Sequence, residues 1–170
     1  PDGRVELPDV EDENLGYVPE FAAIYEDSLG RHWHASRFFG LVMMDDTPVS
    51  RVSYTEGLAS TNATAVTTSA SGEIYVATDQ GVSLVSGRGA STLVSEDFSS
   101  DRMVRAMHVD GGSQLWLATE SGLRRYSSSD GEWAETDVPI AIGATVNTLV
   151  PGANGDLWVG TDAGILRING

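Results

Sequence analysis

The sequence predicts an all-β chain folded as a β-propeller, with four repeats of about 42 residues, four antiparallel strands in each, and one domain spanning 1–170. Two observations carry this expectation. Four aromatic anchors, Trp33, Tyr75, Trp116 and Trp158, recur at intervals of 42, 41 and 42 residues. The 170-residue chain also combines 41% apolar residues with 19 Gly and no Cys, the composition of a turn-rich sheet protein with enough apolar side chains for a core.

Alignment on the anchors brings further columns into register, and each predicts an element in turn. The innermost strand holds Phe21, Ala63, Val104 and Val146 twelve places before the anchor. Small Ala23, Ala65, Ala106 and Thr148 stand at ten before, and Ile24, Val66, Met107 and Leu149 at nine. The small column suits a strand crowded near a ring axis. A turn follows in Ser28-Leu29-Gly30, Ala70-Ser71-Gly72, Asp110-Gly111-Gly112 and Ala153-Asn154-Gly155, where Gly and Asn supply the positive φ of a tight hairpin. The second strand carries the anchor, as in Leu115–Thr119, and its large ring fits packing between neighbouring repeats. Ser36, Thr78, Thr119 and Thr161 lie three places after the anchor. Gly40, Gly81, Gly122 and Gly164 then open a third strand, as in Gly122-Leu123-Arg124-Arg125-Tyr126. The fourth strand is less regular, as in Ser91–Val94 and Glu132–Glu135.

The ends predict a repeat divided between them. The chain stops after a third strand, Gly164–Ile168, and Gly3–Leu7 reads as the fourth strand that the last repeat lacks. Such sharing closes a propeller without a free edge. Three assemblies are compatible with the pattern: a four-bladed ring, two chains joined head-to-tail into eight blades, or a portion of a larger propeller. The larger ring is favoured because four blades must pack around a very tight centre.

The recovered consensus is a small residue and a hydrophobic one, then Asp-Gly-x-x-Leu-Trp-Val-x-Thr-x-x-Gly-Leu-x-Arg-Tyr. It resembles the two-component regulator propeller repeat. The clearest copies are Gln114–Tyr126 and Asp156–Arg167, with Ile74–Val82 a third; His32–Ser36 is degenerate and has one extra residue before Gly40. The resemblance spans nearly the whole chain and implies the propeller fold. It further implies a periplasmic or extracellular setting: such repeats form sensor domains of hybrid histidine kinases, often for oligosaccharides, and occur in secreted proteins without a kinase. The sequence contains no membrane span or kinase, so the kinase role does not follow, and fold alone does not assign function.

The net charge of −15 argues against nucleic acid, whose binding needs a basic stripe, and against anionic membrane surfaces. It is compatible with cationic or neutral ligands, with metal ions, or simply with solubility. No run of 18 apolar residues predicts membrane insertion. The chain opens on Pro1-Asp2-Gly3-Arg4 without a signal peptide, as expected after removal of a leader or for a piece of a longer protein.

No catalytic motif stands out. There is no Gly-x-Ser-x-Gly elbow, phosphate loop, His-Glu-x-x-His or complete calcium loop. Carboxylates are plentiful, but no pair is singled out for glycoside chemistry. His32 and His34 flank Trp33 on one strand face, yet no third metal ligand is evident; His108 ends an inner strand beside Asp110 and reads as structural. Asn62-Ala63-Thr64 is a formal glycosylation sequon at a strand start.

A propeller places ligands where the loops joining strands two and three, and strand four to the next strand one, gather around the channel. The first kind supplies Arg37, Asp79, Gln80, Glu120 and Asp162. The second supplies Ser60, Asn62, Asp101, Arg102 and Asn147, with Thr64 and Arg105 at the inner-strand starts. The candidate ligand-binding set is Arg37, Asn62, Asp79, Asp101, Arg102, Arg105, Glu120, Asn147 and Asp162, with no catalytic residue, metal ligand or cofactor. Arg102 and Arg105 can each orient a carboxylate or sugar hydroxyls, or pair with nearby Asp101 or Glu120. The favoured reading is a non-catalytic module that binds or senses a small molecule, glycan or peptide. Behind it stand a self-assembling structural unit, or the remainder of a larger propeller, and then a propeller enzyme of lyase or glycosidase type.

Overall fold

A computed structural model describes residues 21–27, 30–38, 40–44, 50–87, 89–98, 102–111, 114–136, 138 and 143–169. The described residues form four antiparallel sheets in chain order. The first holds β1 (Phe21–Glu26), β2 (His32–Ser36), β3 (Gly40–Met44) and β4 (Ser50–Val52). The second holds β5 (Ala63–Thr68), β6 (Ile74–Thr78), β7 (Gly81–Ser86) and β8 (Gly89–Ser95). The third holds β9 (Val104–Asp110), β10 (Gln114–Thr119), β11 (Gly122–Ser129) and β12 (Glu132–Thr136). The last has three strands, β13 (Val146–Pro151), β14 (Leu157–Thr161) and β15 (Gly164–Ile168). Each sheet is a meander of sequential neighbours, as the repeat predicts. The expected strand at Gly3–Leu7 lies outside the described residues.

The predicted turns take the conformations their residues permit. Gly30, Gly72, Gly111 and Gly155 all have positive φ, and Asn154 joins them at 62°. The Gly that opens the third strand is a matter of space as well: a Cβ at Gly81 would lie 2.1 Å from the Val94 carbonyl oxygen. The Ser/Thr column closes the same corner. Thr78, Thr119 and Thr161 donate their hydroxyls to the carbonyls of Gly81, Gly122 and Gly164 at 3.1, 2.8 and 2.9 Å.

The sheets stack through three apolar cores. Trp33, Ala35 and Leu41 of the first meet Ile74, Val76 and Val85 of the second. Tyr75, Ala77 and Val82 meet Leu115, Leu117 and Tyr126. Trp116, Ala118 and Leu123 meet Leu157, Val159 and Ile168. The anchor therefore faces the following sheet, while the residues beside it in the strand face the preceding one, as the two-residue strand period requires. Innermost strands pack in series, β1 on β5, β5 on β9 and β9 on β13, with no comparable packing of β13 on β1 among the described residues. The small column explains that close approach. Ala23, Ala65 and Ala106 pair with Ala35, Ala77 and Ala118. In the last sheet the pair is Thr148 with Gly160, and a Cβ at 160 would lie 2.6 Å from Thr148 Cγ2. Volume is moved across the pair rather than added.

Candidate functional site

Every innermost strand starts with a register irregularity that leaves one extra residue opposite β2, β6, β10 or β14. These residues are Ala22, Thr64, Arg105 and Asn147. A bulge of this kind re-aims a side chain and interrupts pairing. It sets each extra residue at the strand end that also carries the loop between strands two and three, where Arg37, Asp79, Glu120 and Asp162 stand. The structure thus gathers most of the predicted residues on one rim.

In the second and third sheets the rim residues engage one another. Arg105 forms an ion pair with Glu120, one of the two partners expected for it. Asn62 donates Nδ2–H to Asp79 Oδ2 at 3.1 Å, leaving Asn62 Oδ1, Asp79 Oδ1 and the Thr64 hydroxyl buried without a protein partner. Arg37, Gln80, Asn147 and Asp162 are exposed; Ser60, whose Oγ accepts from the Asn62 N–H at 3.2 Å, is partly buried. Asp101 lies outside the described residues. The sequon residue Asn62 is half-buried and held by Asp79, which leaves its amide poorly placed for modification.

Arg102 has a partner that the sequence did not suggest, while Asp101, one of the two expected for it, lies outside the described residues. Its Nη1 lies 3.1 Å from Glu96 Oε1, at the seam between the second and third sheets. Glu96 also meets Arg124 Nη2 at 2.8 Å and accepts the Tyr126 hydroxyl at 2.5 Å. Burial pushes the Glu96 carboxyl up, but the Tyr126 hydroxyl and the Arg124 guanidinium more than reverse it, and its pKa is net lowered. Arg124 is held in turn by Glu135 at 2.7 and 2.9 Å and lies 5.6 Å from the rings of both Phe98 and Tyr126. This seam joins the sheets; in the repeat pattern Arg124 is only one residue of a third strand.

His32 and His34 share a face of β2, with ring centroids 6.5 Å apart. His34 is buried and packs on Phe21, and burial, with His32 beside it, pushes its pKa down. No group of three or more metal-ligating side chains occurs among the described residues.

At the other ends of the innermost strands lies a cavity of about 510 Å³ that the repeat columns did not announce. All four innermost strands contribute to it, through Tyr25, Thr67, His108 and Leu149 among others. His108 also lines an adjoining cavity of about 230 Å³ against Trp116 and Arg125. Burial lowers the His108 pKa, and Asp110 only partly opposes this.

No family model and no curated protein matches the chain. Solved structures do. The extracellular domain of the putative hybrid two-component system BT3049 from B. thetaiotaomicron is 17% identical with a TM-score of 0.63, over 88% of this chain and 21% of that one. Virginiamycin B lyase from Staphylococcus aureus is 13% identical with a TM-score of 0.61, over 86% and 54%. PorZ, a surface component of the type-IX secretion system of Porphyromonas gingivalis, is 14% identical with a TM-score of 0.63, over 92% and 26%. These likenesses are of fold. They agree with the repeat resemblance, and the chain spans about a fifth of the two-component domain's length. No helix among the described residues is long and apolar enough to cross a membrane.

Proposed function

We propose that this chain is a non-catalytic ligand-binding or sensing module, four blades of a propeller of the two-component regulator type, working in the periplasm or outside the cell. The observation that carries this reading is the rim. Four bulges set residues at the rim that differ from sheet to sheet, three of them exposed, while the strand positions behind them stay apolar or small. The exposed Arg37, Asn147 and Asp162 and the Arg105–Glu120 pair offer hydrogen-bonding groups and a charged pair to a polar ligand, a glycan or peptide, and the buried, unpartnered oxygens of Asn62, Asp79 and Thr64 leave unsatisfied polarity beneath them. The test is a thermal-shift screen of oligosaccharides and short peptides. A ligand that raises the melting temperature of the parent chain but not of the Asp79→Ala/Arg105→Ala variant supports the reading. Equal shifts in both, or none with any probe, would overturn it.

A second reading, head-to-tail assembly, is favoured by the exposed anchor of the last sheet. Trp158 is 43% exposed where Trp33, Tyr75 and Trp116 are 5%, 3% and 5%. On this reading the front of the first sheet of a second copy covers it. Light scattering decides: twice the 18.0 kDa chain mass supports the assembly, and the single mass rules it out.

A further inference from the structure

The innermost strand is constant in its middle and variable at both ends. The small and aliphatic columns, ten and nine before the anchor, repeat in all four sheets, whereas eight before it stand Tyr25, Thr67, His108 and Val150. Propeller packing dictates the first two columns and leaves the third free. Those free positions end beside the 510 Å³ cavity, on the mouth opposite the bulged rim, and three of the four line it. A cavity of that size holds a drug-sized molecule.

Its wall has a definite chemistry. Met107, Val109 and Leu149 make an apolar part. The Tyr25 ring forms another portion, with its hydroxyl fixed by Thr68 Oγ1 at 2.7 Å across two sheets. Two carboxylates reach the cavity, Asp110 and Asp156, and no Arg lines it among the described residues. Asp156 is already neutralised by Arg167 at 2.5 Å, which leaves Asp110, exposed and hydrogen-bond competent, as the charge available to an incoming group. An anion would meet no counter-charge here, while the chain's net charge of −15 favours the approach of a cation. The protein already holds cations against rings in this way: Arg31 bonds Asp27 and lies 5.4 Å from the Trp33 ring.

We propose that this lower cavity binds an organic amine in its protonated form, with Asp110 as its charge partner and the Tyr25 ring in its wall. The site is separate from the rim, so it stands or falls independently of the function proposed above. Calorimetric titration with spermidine tests it, with maltotriose as the uncharged probe and Glu132→Gln, on the outer strand β12, as the control variant. The expected result is saturable one-to-one binding of spermidine, weakened at least about tenfold by Asp110→Asn and unchanged by Glu132→Gln. Asp110 is exposed, so its amide variant keeps the fold, and circular dichroism verifies this. Equal affinity in parent and Asp110→Asn would overturn the proposal. So would unsaturable binding, the sign of diffuse attraction to an acidic surface, or binding of maltotriose in preference to spermidine.

Discussion

The third and fourth sheets are the same repeat in two environments. Their second strands read Leu115-Trp116-Leu117-Ala118-Thr119 and Leu157-Trp158-Val159-Gly160-Thr161. Both Trp rings have an Arg guanidinium over them, Arg125 at 5.4 Å and Arg167 at 5.7 Å. Yet Trp116 is 5% exposed and Trp158 43%, and Val150, paired with Trp158, and Ile165, paired with Gly160, are 52% and 74% exposed. The local sequence dictates the strand, its turn and the stacked guanidinium. Only the presence of a following sheet turns the anchor into core. What the repeat encodes is half an interface.

The largest effect that would break this comparison is at the anchors. Trp116→Ala is expected to cost about 3–5 kcal/mol in denaturant unfolding, with a cavity left between two sheets, and Trp158→Ala about 1 kcal/mol. Equal losses would mean that the last sheet's face is covered in solution.

The opening glycines give a sharper contrast, because their backbones match. Gly81 has φ 147° and Gly164 φ 129°, but a Cβ at Gly164 would meet nothing within 4 Å, against the Val94 oxygen at Gly81. Both Ala variants carry similar backbone strain, so the additional loss in Gly81→Ala, about 1–3 kcal/mol, measures the clash alone. Thermal unfolding of the two variants side by side would show it, and equal losses would deny the close approach.

Within the fourth sheet, Gly160→Ala is expected to destabilise by about 1–2 kcal/mol, and adding Thr148→Ala should restore most of it by recreating the Ala–Ala pair of the other sheets. A double variant no better than the single one would show that the pair is not the constraint.

The smallest effect concerns the seam between the second and third sheets, which has no counterpart among the described residues of the last. Because the Glu96 pKa is held below its ordinary 4.5 in the folded state, its ionised form adds stability at neutral pH. That contribution is lost as pH falls through the folded pKa. Glu96→Gln should cost about 1 kcal/mol at pH 7, and the gap from the parent should close in unfolding curves recorded progressively below pH 4.5. A gap that persists in acid would assign the role to Glu96 packing rather than to its charge.

Much of the fold was legible because a propeller repeats its constraints. The aromatic, small and Gly columns each mark a position where geometry leaves few choices, and β15 matches the predicted Gly164–Ile168. The bulges were not legible from alternation. Strand β5 lies between two sheets and is covered on both faces, so Ala65 and Val66 are both sheltered and no exposed face exists against which a slip of register would show. The signal that could have found them is variability: Ala22, Thr64, Arg105 and Asn147 form an unmatched column between two matched ones. The lower cavity was missed for the same reason, since Tyr25, Thr67 and His108 share a place but no residue type. Arg102 was read as rim because its loop is there. Its partner Glu96 closes the previous sheet's outer strand, a proximity that only stacking creates.

The uneven burial of the anchors has an optical consequence. Trp33 and Trp116 are shielded and Trp133 is partly buried against the core between the second and third sheets, whereas Trp158 sits at the surface with its ring half in water. The chain therefore carries its own reporter on a face that a further sheet would cover. Docking there should shift the emission to shorter wavelength and slow quenching by iodide, and a Trp158→Phe chain should show neither change.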